Sequence, residues 1–245
     1  MSGRTLLGVW AHPDDEAYLS AGMMAEYRRR GDRVVVITAT LGERGTGDPV
    51  AWPPERLAVL RERELRAALA AVDVDELHLL GFMDGECAWA DGTDQIAELI
   101  AEIEPDVILT FGLDGMTNHP DHRAVSAWAT DAWRAARPEA ELWYATLGTD
   151  FHAKWGALSD HVGLFAEQPT PPCTADRDLA ARVTLDSETL DRKMAALQAH
   201  QSQTTGLIEA VGMGTYREWW RTESFRRAAA TAEHLRFADL ADLAA

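Results

Sequence analysis

Two periods of apolar spacing alternate along the first half of the chain. Thr5 to Trp10 (TLLGVW) is a short, nearly continuous apolar run, as expected of a buried strand. Ala17 to Arg30 has helical character and is closed by Gly31, a C-terminal stop. Arg33 to Thr40 (RVVVITAT) is β-branched and reads as a second buried strand. Leu41 to Pro54 is rich in glycine and proline and must be loop. Glu55 to Val72 is a helix with Leu57, Leu60, Leu65 and Leu69 near helical spacing. Glu76 to Phe82 and Asp106 to Phe111 read as further strands, and Gln95 to Ile103 and His122 to Ala136 as helices. Strands alternating with helices predict an α/β fold: a Rossmann-like, three-layer arrangement around a mostly parallel central sheet.

The second half is less regular. Glu141 to Leu147, Val162 to Phe165 and Arg182 to Leu185 are strand candidates, and Ser187 to His200 is helical. Gln168 to Cys173 (QPTPPC) is a proline-rich loop, and Glu218 to Ala245 is expected to be helical. With no repeat and no low-complexity tract, residues 1–245 read as a single domain.

Composition narrows the function. A formal net charge of -17 argues against nucleic acid or an anionic membrane as a partner. Two cysteines, Cys87 and Cys173, give neither a disulfide framework nor a cysteine-based zinc site. No apolar run is long enough to span a bilayer and no leader-like segment opens the chain, so a cytoplasmic location is expected. No G-x-G-x-x-G follows the first strand, which argues against a dinucleotide enzyme.

The chemistry concentrates in two segments. Ala11 to Glu16 (AHPDDE) directly follows the first strand, and His119 to His122 (HPDH) lies just beyond the fourth. Ligands of parallel sheets bind at the carboxyl ends of the strands, where both segments fall. Histidine nitrogen and aspartate oxygen suit zinc, and a neighbouring carboxylate can move a proton. Each segment has a bland reading as well. An Asp before a helix with acids in its first turn is a common cap, and two histidines can decorate a surface turn. Together they point to a metal site with a position left open for chemistry.

Here the chain resembles the PIG-L/LmbE-like deacetylases, zinc hydrolases of N-acetylglucosamine-type substrates. AHPDDE and HPDH look like the family's two signatures. Thr40 to Gly45 (TLGERG), Arg61 to Leu65 within RERELRAA, Gly81 to Gly85 (GFMDG) and Lys193 to Gln203 (KMAALQAHQSQ) resemble its weaker motifs, in order. The resemblance implies that His12, Asp15 and His122 bind zinc, with Fe2+, Co2+ or Mn2+ as other occupants. It implies Asp14 as the general base that activates water and His119 as an imidazolium that stabilises the oxyanion. Asp121 would orient or charge His119, Arg61 and Asp84 would hold sugar hydroxyls, and Glu16 would support the helix start.

The implied substrate is a small N-acyl amino sugar or related amide, with acetyl the favoured acyl group. A zinc amidase of a non-sugar amide and a non-catalytic metal- or sugar-binding protein are the alternatives. A homo-oligomer is left open. One departure stands out: where better-known sugar deacetylases of this group carry a tyrosine two residues before the first His of the second signature, this chain has Thr117. Leu19 and its neighbours also lack the lysine of a mycothiol-conjugate amidase. Trp219 and Trp220 read as core packing with a sugar platform as the rival, and His200 as a hydrogen-bonded structural residue or a site contact.

Overall fold

The computed structural model of the chain describes residues 3–164 and 172–228. The apolar runs become strands β1 (Thr5–Trp10), β2 (Arg33–Thr38), β3 (Glu76–Leu79), β4 (Val107–Phe111) and β5 (Glu141–Gly148). Every residue of β4, and all of β1 and β2 after the first, is buried, as strands covered on both faces require. The connecting helices are α1 (Asp15–Arg29), α2 (Pro54–Ala71), α3 (Thr93–Ile103) and α4 (Pro120–Ala136). These five strands run parallel in the order β3-β2-β1-β4-β5.

The order fixes where a site can form. The chain works outward from β1 to β3 and then returns to place β4 on the other side of β1. Right-handed crossovers therefore put α1 and α2 on one face and α3 and α4 on the other. Between the carboxyl ends of β1 and β4 the two loops part in opposite directions, leaving a crevice. AHPDDE begins right after β1, and HPDH ends the loop after β4 and opens α4.

Beyond β5 the sheet turns antiparallel. Strand β7 (Leu179–Thr184) pairs with β8 (Thr222–Arg227), which pairs with β5, both antiparallel, while the short β6 (Cys173–Thr174) lies parallel to the end of β5. Helix α6 (Ser187–Ala199) packs against α1 and α2, followed by α7 (Gln201–Val211) and α8 (Met213–Trp219).

Several expectations for this half are corrected. Helix α5 (Thr149–His161) was not legible, because its core contact is thin: only Ser159 is buried. Residues 162–164 form a turn rather than a strand, and Phe165 lies outside the described residues, as does most of the proline-rich loop. The tail is not helical where it is described beyond α8. Thr222–Arg227 is a strand that buries Glu223 and Phe225 on alternate positions. An acid at an inward position hides the two-residue period. The remainder of the expected C-terminal helix, 229–245, lies outside the described residues.

Candidate active site

The turn after β1 is not an ordinary helix cap. Asp14 occupies the N-cap position of α1, yet its side chain accepts no capping hydrogen bond. Its backbone has φ 107°, a conformation that costs a non-glycine residue roughly 1–3 kcal/mol. Surrounding contacts hold it there. Glu16 accepts the Asp14 N–H at 3.0 Å, and its other oxygen lies 2.7 Å from His200 Nε2. Arg61, buried on α2, donates to the carbonyls of Gly42 (2.8 Å) and Pro13 and reaches the Asp14 carboxylate at 3.2 Å. Gly42 makes this possible. It has φ +61°, and a Cβ there would stand 2.0 Å from Arg61 Nη1.

The ring orientations of the two buried histidines are decided by their outward neighbours. His12 Nε2 lies 3.1 Å from both Asp84 Oδ1 and Asp121 Oδ2, carboxylates that only accept. His12 Nε2 therefore carries a proton. His122 Nδ1 lies 3.1 Å from the Gly115 carbonyl and 3.1 Å from Thr117 Oγ1, so it too is the protonated nitrogen. The opposite nitrogens, His12 Nδ1 and His122 Nε2, face each other at 3.2 Å. The Asp15 carboxylate joins them, 3.7 Å from the first and 3.4 Å from the second. Two nitrogen lone pairs and a carboxylate converging in a buried spot repel one another unless a cation lies between them. The donor set fits a divalent metal, with the outer partners that ligating histidines need.

Electrostatics agree with that reading. Burial alone would lower the pKa of His12, but the hydrogen bonds to Asp121 and Asp84 and the Asp15 charge raise it to about 10. Without a metal, a second proton on His12 thus supplies the missing positive charge. His122 is held well below the usual histidine range by burial and by the neighbouring His12 and His119. Asp14 and Asp15 are both raised to about 6, chiefly by burial, with Arg61 opposing the rise at Asp14 and His12 opposing it at Asp15.

His119 sits beside the cluster, its ring 5.0 Å from that of His12 and edge-on to it. Its Nδ1 accepts the Asp121 N–H at 3.2 Å, so its proton is on Nε2. Burial lowers its pKa, as does the charge of His12. Both effects work against an imidazolium at His119, the form the resemblance implies, while the nearby Asp121, Asp15 and Asp84 carboxylates work the other way. Asp121 orients His119 through its backbone N–H, while its carboxylate is directed elsewhere. That carboxylate is fully buried, holds His12, and accepts from the N–H groups of Gly85 (2.7 Å) and Cys87 (3.1 Å).

Arg61 and Asp84 are both engaged by groups of the protein itself. Arg61 is spent on Asp14 and two carbonyls. Asp84 holds His12 and accepts from the Arg44 N–H at 2.8 Å, which keeps its pKa down at about 2 against its burial. Neither lines the cavity that opens beside Asp15 and His122. The weaker motifs meet around the same turn: Glu64 accepts from Ser202 N–H and Oγ, and Gln203 donates to the Gly45 carbonyl. Sequence reading missed Thr117 and Gly115 as partners of His122. A threonine and a carbonyl carry no signal until the loop folds.

An α/β sheet with a His/Asp cluster at its switch point describes a class of protein, and known proteins supply the family. The model of the PIG-L family, GlcNAc-PI de-N-acetylase, matches residues 7–133. A 1D-myo-inositol 2-acetamido-2-deoxy-alpha-D-glucopyranoside deacetylase of Mycolicibacterium gilvum is 31% identical over 236 residues, covering 82% of this chain and 81% of that protein. The enzyme of the same name from Actinosynnema mirum is 32% identical over 243 residues, covering 86% and 84%. Among solved structures, N,N'-diacetylchitobiose deacetylase from Pyrococcus horikoshii superposes with a TM-score of 0.64 at 18% identity, covering 97% of this chain and 88% of that one. At that identity the likeness concerns the fold. The chain belongs to the PIG-L family and is a hydrolase of the deacetylase type, acting on an amide C–N bond.

Proposed function

We propose that this protein is a zinc-dependent N-deacetylase of a small N-acetylglucosamine-like conjugate. One observation carries the reading. The His12, His122 and Asp15 ligand atoms converge, with both outer histidine nitrogens anchored, beside an Asp14 carboxyl held out of its capping role. His12, His122 and Asp15 would hold the metal, which supplies Lewis-acid polarisation of the amide carbonyl.

The chain's own groups do the rest. Asp14 takes a proton from the attacking water and returns it to the departing amine. Burial raises the carboxyl pKa, to about 6 in the metal-free protein, toward the range in which a group can both take and return a proton. Arg61 and Glu16 fix Asp14 for that exchange. His119, whose Nδ1 accepts from the Asp121 N–H, offers its Nε2–H as a hydrogen-bond donor to the oxygen that gains negative charge. Asp84 and Asp121 hold the His12 ring so that Nδ1 faces inward.

Support for an amino-sugar substrate comes from the relatives, whose names specify a 2-acetamido-2-deoxy-glucopyranoside of inositol. The test is acetate release from that glycoside, from N,N'-diacetylchitobiose and from simple acyl amides, each with and without chelator. Chelator-sensitive release from a sugar amide is expected. Release that survives complete metal removal, or none from any amide, would overturn the reading. Among the described residues no helix is long and apolar enough to cross a membrane.

A further inference from the structure

A cavity of about 260 Å³ opens directly off the ligand cluster, with Asp15 and His122 in its wall. The rest of the wall is apolar, dominated by Leu19, Phe111, Met116, Leu147, Leu207 and Trp220. The other polar side chains that reach it are few, and each is already engaged in part by the protein. Thr117 Oγ1 is engaged by His122, and the Gln203 amide donates to the Gly45 carbonyl and Ser202 Oγ. Tyr18 OH receives the Tyr216 hydroxyl at 2.8 Å. A pyranose ring placed here would strip its hydroxyls of water and offer them few partners, which is costly. An acetyl methyl would leave most of the space unfilled. Taking roughly 30 Å³, the liquid share of one water, for a carbon-sized group, the cavity holds about eight such groups.

We propose that this cavity is an acyl subsite and that the preferred substrate is an amine acylated by an aliphatic chain of about six carbons rather than by acetyl. The proposal rests on the metal-dependent amide hydrolysis read above and replaces acetyl with a longer acyl group as the one this site prefers. The polar amine portion then lies outside the cavity, on the solvent side of the cluster. The reaction remains hydrolysis. The water oxygen bonds to the carbonyl carbon, the C–N bond breaks, the amine leaves with a proton, and a carboxylate of the full chain length is released into the cavity. Phe111 links the two functions, since its ring stacks on that of His122 with centroids 4.1 Å apart while it also forms part of the cavity wall.

The experiment compares N-acetyl-, N-butyryl-, N-hexanoyl- and N-octanoyl-glucosamine with the zinc-loaded enzyme, following free amine. Burying one methylene is worth about fourfold, so kcat/KM should climb by that factor per carbon and gain on the order of a hundredfold from acetyl to hexanoyl. Leu207→Trp, which fills the cavity from α7, should cut the hexanoyl-to-acetyl ratio at least tenfold. Leu19→Phe fills it from α1 and serves if the first variant does not fold. Calorimetry on the metal-free protein gives a readout independent of turnover: hexanoate should bind more tightly than acetate, by a similar factor per methylene. Cleavage of the acetyl compound with no gain on lengthening overturns the acyl subsite and leaves the deacetylase reading standing. Failure to cleave any of the four, with metal bound, sinks both.

Discussion

Removing Arg61 separates two roles for that residue and carries a direction that can be worked out from the structure. Its guanidinium is buried, donates to two backbone carbonyls, and lies 3.2 Å from the Asp14 carboxylate. Arg61→Ala leaves the Pro13 carbonyl without its partner, while the Gly42 carbonyl keeps the Gly45 N–H, so a stability loss of roughly 1–3 kcal/mol is expected. It also removes a positive charge that opposes the burial-driven rise of the Asp14 pKa to about 6. At 3.2 Å the attraction is ~5 kcal/mol for an effective dielectric of 20 and ~1 kcal/mol in a water-like one. The Asp14 side chain is 19% exposed, so solvent screening favours the lower end. Since about 1.4 kcal/mol corresponds to one pKa unit, the Asp14 pKa should rise by about one. The base works as a carboxylate. The acid limb of the kcat profile should therefore move to higher pH by about one unit, with kcat reduced throughout. A bound metal lowers the Asp14 pKa in both proteins and leaves the difference between them. The assay is kcat and KM of the zinc-loaded enzymes from pH 5 to 9, with Arg61→Lys included as a poor substitute for a forked donor. An unchanged acid limb with only KM raised would refute this account and return Arg61 to the sugar-binding role that the sequence suggests.

Other outcomes follow from the same geometry. Asp14→Asn should keep zinc and lose about 10²–10⁴ in kcat; metal content by atomic emission alongside turnover checks it, and near-normal turnover would remove Asp14 as the base. Metal binding should be pH-linked: His12, raised to about 10, must give up a proton to the ion, and Asp15, raised to about 6, must be ionised. Zinc affinity should therefore increase from pH 5.5 to 8, with about one proton released per ion at pH 7.5; calorimetry in buffers of different ionisation enthalpy measures it, and no proton release would contradict the tautomers assigned here. In the metal-free protein the raised His12 pKa adds stability that is complete below about pH 6.5 and is lost as pH rises toward 10; a flat melting temperature over that window would argue against it. Lys193→Met breaks a buried ion pair in which Glu223 lies 2.8 Å from the ammonium and also accepts from the N–H groups of Gly22 and Met23. Leaving that carboxylate unpaired should cost roughly 3–5 kcal/mol, a fall in Tm of about 10 °C by calorimetry.

The sequence by itself determined the parallel half of the sheet and the place of the site. A strand buried on both faces must be a short apolar run, and β1, β2 and β4 are such runs. Residues that follow them at once, such as His12 and Asp15, have no choice but to stand at the carboxyl edge. Pairing AHPDDE with HPDH was also legible, since one follows β1 at once and the other closes the loop after β4. Tertiary structure alone decided what each side chain does there. Asp121 turns to His12 and not to its near neighbour His119 because Gly85 and Cys87, brought in by a distant loop, offer their N–H groups to its carboxylate. Arg61 and Asp84 became supports because Gly42 admits the guanidinium and because two carboxylates converge on one ring nitrogen of His12. The antiparallel edge escaped reading for a similar reason. Glu223 is polar in sequence, and only its contact with Lys193 and the backbone of α1 makes it an inward position. Local pattern fixes which face or edge a residue occupies, while its partners are set by chain segments up to two hundred residues away, as the 2.8 Å contact between Gly22 and Glu223 (201 positions apart) illustrates.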